Sequence, residues 1–171
     1  MADLFSEYVP PHILKQLAHP PAPEGRLSRG PVEFIFVMAQ GHGDHDTAEL
    51  IGVIAADASH AGWMVQALLC NLVVLVRGTV PQRESQVLER TALVRQLLGT
   101  YAPRIKAVHG AEQASFGNIG SSARRTHGVL LPSFSDAMGQ LLSLPLGQSH
   151  DLGGCEAAAQ EPAPRAGRSP R

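Results

Sequence analysis

The stretch PVEFIFVMAQGHG, residues 31–43, leaves the chain few options. In 32–39 the side chains alternate, yet neither side is polar: Val32, Phe34, Phe36 and Met38 point one way, and Ile35, Val37 and Ala39 the other. Glu33 is the only charge. A strand that is apolar on both faces has to be covered on both, so it belongs in the middle of a sheet. Its C-terminal end, Met38, Ala39, Gln40 and Gly41, offers no carboxylate and no nucleophile. In open α/β sheets that end of a strand is where ligands and chemistry gather.

Around this strand the pattern alternates between helix and strand. Pro10 and Pro11 can open a short helix with Ile13, Leu14 and Leu17 on one stripe, followed by a polar connector at 24–30. After the loop GHGDHD at 41–46, the spacing of Asp46 and Glu49 predicts a capping box and a helix to about His60, with Leu50, Ile51, Val53, Ile54 and Ala58 inward and Gly62 as its stop. Residues 63–67 and 72–77 read as two strands joined by a tight turn near Leu69, Cys70 and Asn71. A helix is expected over 83–100, with Val87, Leu88, Thr91, Val94, Leu97, Leu98 and Tyr101 on one face. Strands are expected at 104–109, 112–119 and 128–131, with a polar loop at 122–126. A last helix follows the Ser133–Asp136 capping box, with Phe134, Ala137, Met138, Leu141 and Leu142 inward. The order is that of an α+β, ferredoxin-like mixed sheet with helices packed on one face. The division expected is a lead-in at 1–30, one domain at 31–146 and a disordered tail at 147–171, where Gly, Ser, Ala, Pro and Arg dominate.

Composition closes several doors. Lys plus Arg number 14 against 15 acids, a formal net charge of -1, so no basic excess favours nucleic acid. The longest apolar run, 67–76, is too short to cross a bilayer. The N-terminus MADLFSEYVPP is acidic and broken by prolines, unlike a signal peptide. Cys70 and Cys155 form no disulfide framework, and a cytoplasmic protein is the expectation.

Several strings, spread over about 5–144, resemble the class III adenylate/guanylate cyclase homology domain. The segment FSEYVPPHILKQLAHPPAPEGRLSRGPVEFIF is similar to the family's lead-in to its first strand. Phe36 and Gly41 fit F-x-D-[IV]-x-G-F-T, and Ala61-Gly62 fits the small-Gly pair before the second strand. His109-Gly110, Gly117-Asn118-Ile119-Gly120-Ser121 and Arg125 fit H-x-G-x(6,7)-G-N-I-G-S-x-x-R, the most specific of the matches.

The same resemblance implies what is missing. Cyclases of this type hold two divalent ions over the triphosphate with two carboxylates. Those positions fall on Met38 and Cys70, and neither thioether nor thiol suits magnesium. The base-reading Lys position falls on Gln66 and its acidic partner near Gly128. The Asn and Arg that orient the ribose and stabilise the transition state fall near Ser135 and Gly139. The family's closing hairpin is also not matched, so the sheet is expected to be truncated at its C-terminal end.

The expectation is thus a catalytically inactive cyclase-like domain, a regulatory or scaffolding module in signalling, with no cofactor. Mg or Mn would matter only to residual cyclase activity. Partners implied by the resemblance are a second copy or another cyclase-like or signalling protein, with Leu68, Leu69 and Cys70 as interface candidates. Alternatives are an ATP- or GTP-sensing domain without turnover, and a divergent purine nucleotide cyclase acting in a heterodimer. His42, Asp44, His45 and Asp46 are the one dense ligand-type cluster. They could hold zinc or nickel, or form a solvated loop in which Asp46 caps the helix; loop neighbours seldom converge on one ion without distant partners. Cys70 is expected to be a small buried hydrophobe.

Overall fold

The computed structural model describes residues 27–78, 89–121 and 124–153. The elements are β1 (Ser28–Ala39), α1 (Asp44–His60), β2 (Met64–Leu69), β3 (Leu72–Gly78), α2 (Arg90–Tyr101), β4 (Ile105–Ser121), β5 (Arg124–Leu130), α3 (Phe134–Ser143) and β6 (Ser149–Asp151). The fold is mixed α+β, with the strands in the order β2-β3-β1-β4-β5 and β6 beside β4. β1 lies in the middle, antiparallel to both β3 and β4. It starts at Ser28, earlier than the expected lead-in boundary. Pro31, which has no N–H to give a ladder, sits just before β3 begins to flank the strand at Val32.

The two apolar faces of β1 build two cores, as its alternation requires. Ile35, Val37 and Ala39 pack with Leu50, Ile51, Ile54 and Ala58 of α1 and Leu93, Val94 and Leu97 of α2. Val32, Phe34 and Phe36 pack with Val74 and Val76 of β3 and with Ala137 and Leu141 of α3. The long helices α1 and α2 therefore share one face, while α3 lies in the other cluster.

Several expectations need correcting. Val53, Phe134 and Leu142 are exposed, not inward. α1 begins at Asp44 with Gly43 as its N-cap, and neither expected capping box forms: no side-chain cap bond is made at Gly43 or Ser133. The two strands expected at 104–109 and 112–119 are one, β4, and residues 124–126, expected in a loop, belong to β5. Residues 149–151, expected in a disordered tail, form β6, parallel to Ala107, Val108 and His109. β5 reaches only 115–121 of β4, so the outer edge near 107–109 would otherwise carry unpaired backbone groups. Gly147 N donates to Ile105 O at 2.6 Å and Leu152 N to His109 O at 2.9 Å, tying the chain down on either side of β6. The expected lead-in helix, residues 83–88 of the expected second helix, and everything beyond 153 lie outside the described residues.

A polar contact joins α1 and α2. Tyr101 OH donates to Asp57 Oδ2 at 2.6 Å. Burial, then this bond to a carboxylate, pushes the phenol up to about 12. Its folded value thus lies above the unfolded value of about 10, so the stability it contributes is present below pH 10 and lost as pH rises toward 12. Tyr101→Phe is expected to lose about 1–2 kcal/mol at neutral pH. Its loss relative to the parent should shrink through that alkaline window, as denaturant titrations at several pH values would show.

Candidate functional site

The positions singled out by the family pattern gather at the C-terminal end of β1. Met38 pairs with Leu72, and Ala39 N donates to Asn71 O at 2.8 Å, so the Cys70–Asn71 turn lies beside Met38. The two implied metal positions, one at the end of β1 and one in the turn beside it, both carry sulfur. Met38 is partly buried against the α3-side core. Cys70 is exposed, with a positive φ of 22°, which corrects its expected burial: it forms the tip of a tight turn that leads directly from β2 into β3.

The other implied positions do not complete a site. Gln66 is at an irregularity in the β2–β3 pairing, between Val65 and Ala67. Gly128 is on β5, opposite Gly117. Between β2 and β5 stand β3, β1 and β4, so four strand spacings, about 19 Å, separate the two along the sheet. Ser135 and Gly139, one turn apart, are exposed on α3.

Two charges of β4 hold α3 in place, a role the sequence alone did not reveal. Glu112 accepts from Ser133 N, at 3.1 Å through Oε2. Lys106 Nζ donates to Leu144 O at 2.9 Å and Leu142 O at 3.2 Å. An acid at the helix N-terminus and a base at its C-terminus both match the macrodipole.

The loop after β1 is closed on itself. Gly41 N donates to Thr47 Oγ1 at 2.9 Å, and His42 N donates to Asp46 Oδ2 at 2.7 Å. Thr47 Oγ1 in turn donates to Gly43 O at 2.8 Å. Arg104 Nη2 lies 2.8 Å from Asp46 Oδ2. The bond from His42 N, and then Arg104, hold the Asp46 carboxyl below the usual carboxylate range. A Cβ at Gly41 would lie 2.7 Å from both Asp46 Oδ2 and Thr47 N, so only glycine fits this wrap. Thr47 and Asp46 thus take the N–H groups of Gly41 and His42, which lie in the loop ahead of α1.

His42, Asp44 and His45 are exposed, and Asp46 is engaged as described. Among the described residues, no three His, Cys, Asp or Glu side chains are grouped to hold a metal ion. Leu68 is 43% and Leu69 55% exposed beside Cys70. No helix among the described residues is long and apolar enough to cross a membrane.

No protein-family model matches the sequence, and no curated protein matches it. Solved structures do resemble the fold. The guanylyl cyclase Cya2 is 15% identical with a TM-score of 0.55, over 73% of this chain and 76% of that one. A bacterial light-regulated adenylyl cyclase is 13% identical with a TM-score of 0.58, over 86% of this chain but only 51% of its own length. A non-canonical dimeric guanylyl cyclase domain of the RhoGC fusion protein from the aquatic fungus Blastocladiella emersonii is 10% identical with a TM-score of 0.56, over 72% of this chain and 80% of that one.

Proposed function

We propose that this chain, which has the fold of the adenylyl and guanylyl cyclase domains, acts through association and carries out no cyclisation. One observation carries the proposal: the two implied metal positions, one at the end of β1 and one in the turn beside it, are Met38 and Cys70. Divalent magnesium takes hard oxygen ligands and keeps several waters, and neither a thioether nor a thiol supplies an oxygen. The closed loop agrees, because Asp46 and Thr47 already occupy the His42 and Gly41 N–H groups of the loop that follows β1, so neither is left to hold a phosphate oxygen. Ser135 and Gly139 carry no cation to stabilise charge building up on a reacting phosphate.

What remains at this end of the sheet is a contact surface. Leu68 and Leu69 are exposed on an edge strand, next to a cysteine at the turn, and apolar groups clustered in the open favour a partner. The partner favoured is a second cyclase-fold subunit, in the first instance another copy of this chain, in a regulatory or scaffolding role. Sedimentation velocity over a range of concentrations tests this. The parent should form dimers, and Leu69→Asp should shift them to monomers while keeping the parent's circular dichroism spectrum. A parent that stays monomeric throughout, or a variant that associates equally well, contradicts the proposed surface.

A further inference from the structure

Asp151 of β6 occupies a seat that it fills only in part. Its Oδ2 is 3.2 Å from Arg90 Nη2, while its Oδ1 is 3.7 Å from His109 Nδ1. The second distance is too long for a hydrogen bond. His109 Nδ1 is left without a partner, as are Nε and Nη1 of Arg90, and all three atoms are buried. The His109 side chain is only 7% exposed. Arg90 is also the first residue of α2, whose N-cap Glu89 makes no side-chain cap bond and whose first turn has no acid.

The spare atoms are of one chemical kind. The two arginine nitrogens can only donate, and the imidazole nitrogen donates in the matching tautomer. They adjoin the positive end of a helix. Arg90 also lines a cavity of about 320 Å³ with Glu33, Arg77, Glu89 and Thr91, in which Glu33 is paired with Arg77. This hollow is open to solvent and adjoins the Arg90 side of the seat, while His109 and Asp151 lie outside its lining; a water's share of liquid is about 30 Å³, so a small anion can reach Arg90 from it. A planar carboxylate on a short tether reaches one arginine nitrogen. A tetrahedral oxyanion has more acceptor oxygens, set at wider angles, and suits a guanidinium together with a second donor.

We propose that Arg90, His109 and the first turn of α2 form a seat for a phosphate-class oxyanion, which competes with Asp151 and so loosens β6 from β4. The seat is on the α1–α2 face of the sheet, because His109 pairs with Ile35 of that core. It is thus separate from the Met38 end and does not depend on the function proposed for it. The coupling follows from topology: β6 has three residues, and Asp151 is the one that pairs with His109.

Isothermal titration of the full chain with inorganic phosphate at neutral pH tests the seat, with sodium chloride matched for ionic strength. Asp151→Asn should bind about tenfold more tightly than the parent. Arg90→Gln should lose binding while keeping its circular dichroism spectrum. Should that variant not fold, Arg90→Lys should bind more weakly than the parent. ATP in place of phosphate separates the sources: an equal gain for Asp151→Asn assigns the seat to terminal phosphate groups, and no gain assigns it to the free ion. Hydrogen exchange at the amides of 107–111 should speed up with phosphate. Absence of binding in both the parent and Asp151→Asn, equal affinities in the two, or undiminished binding by the Arg90 variants overturns the seat. Unchanged exchange at saturating phosphate overturns its coupling to β6.

Discussion

Trp63→Ala is expected to destabilise the domain by about 3–5 kcal/mol, a typical loss for truncating a buried aromatic side chain. Trp63 is fully buried in the core shared by α1 and α2. It follows the Gly62 stop of α1, and its N–H donates to Ala58 O at 2.9 Å, which fixes where the chain leaves the helix for β2. The Arg77 guanidinium lies 4.8 Å from the indole centroid and is also bound to Glu33, so the ring supports a charged pair as well as a core. The substitution leaves a large cavity that α1 cannot close without leaving the sheet. Chemical denaturation should show a lower midpoint with an unchanged slope, and the melting temperature should fall by more than about 10 °C. A loss below about 1 kcal/mol would mean that Trp63 is not part of this core.

Gly110→Ala should also be costly, and for a different reason. A Cβ at this position would lie 2.7 Å from Phe34 Cζ and 3.1 Å from Cε1. The Phe34 ring has no room to retreat: it is buried and packed edge-on against Phe36 at 5.6 Å between centroids. Overpacking of this kind costs about 1–3 kcal/mol. If the ring is the obstacle, Phe34→Leu should relieve much of it. The double variant should then be more stable than the sum of the single losses implies, by at least about 0.5 kcal/mol. Strict additivity would place the strain elsewhere.

Gly110 also shows where sequence reasoning stopped short. A glycine between apolar segments suggests a break, so one strand was expected to end at 109 and another to begin at 112. The glycine instead lets an aromatic ring from the neighbouring strand lie close across the backbone, and β4 runs straight through. That contact is made between residues far apart in the sequence, so no local pattern encodes it. The central strand was legible because its signal is local: alternating apolar residues with no polar side fixed both its place and its two cores. Helix ends were less legible because their partners lie outside the helix. Asp46 turns back to His42 N and out to Arg104 instead of capping forward, and Ser133 N is satisfied by Glu112 from β4. The sites of Val53, Phe134 and Leu142 follow the same rule: helical spacing gives a stripe, and neighbouring elements decide how wide it is. β6 is the extreme case, since three polar residues acquire a strand only from the free edge beside them.

The proposed site was legible as a set of positions and not as an arrangement. That the Cys70 turn lies beside the end of β1 follows from strand register, while the distance between Gln66 and Gly128 follows from strand order. The closing of the 41–46 loop by Asp46 and Thr47 could have been suspected from side chains four to six residues ahead of the glycines, but the sequence alone does not choose between a cap and a wrap.

The most direct measurement incubates the purified chain with ATP or GTP and either Mg²⁺ or Mn²⁺ and assays for cyclic nucleotide. No product above a protein-free control is predicted with any of the four pairings. Product that is present with the parent and disappears in Leu69→Asp would contradict the account, because it would show a working cyclase assembled at the interface.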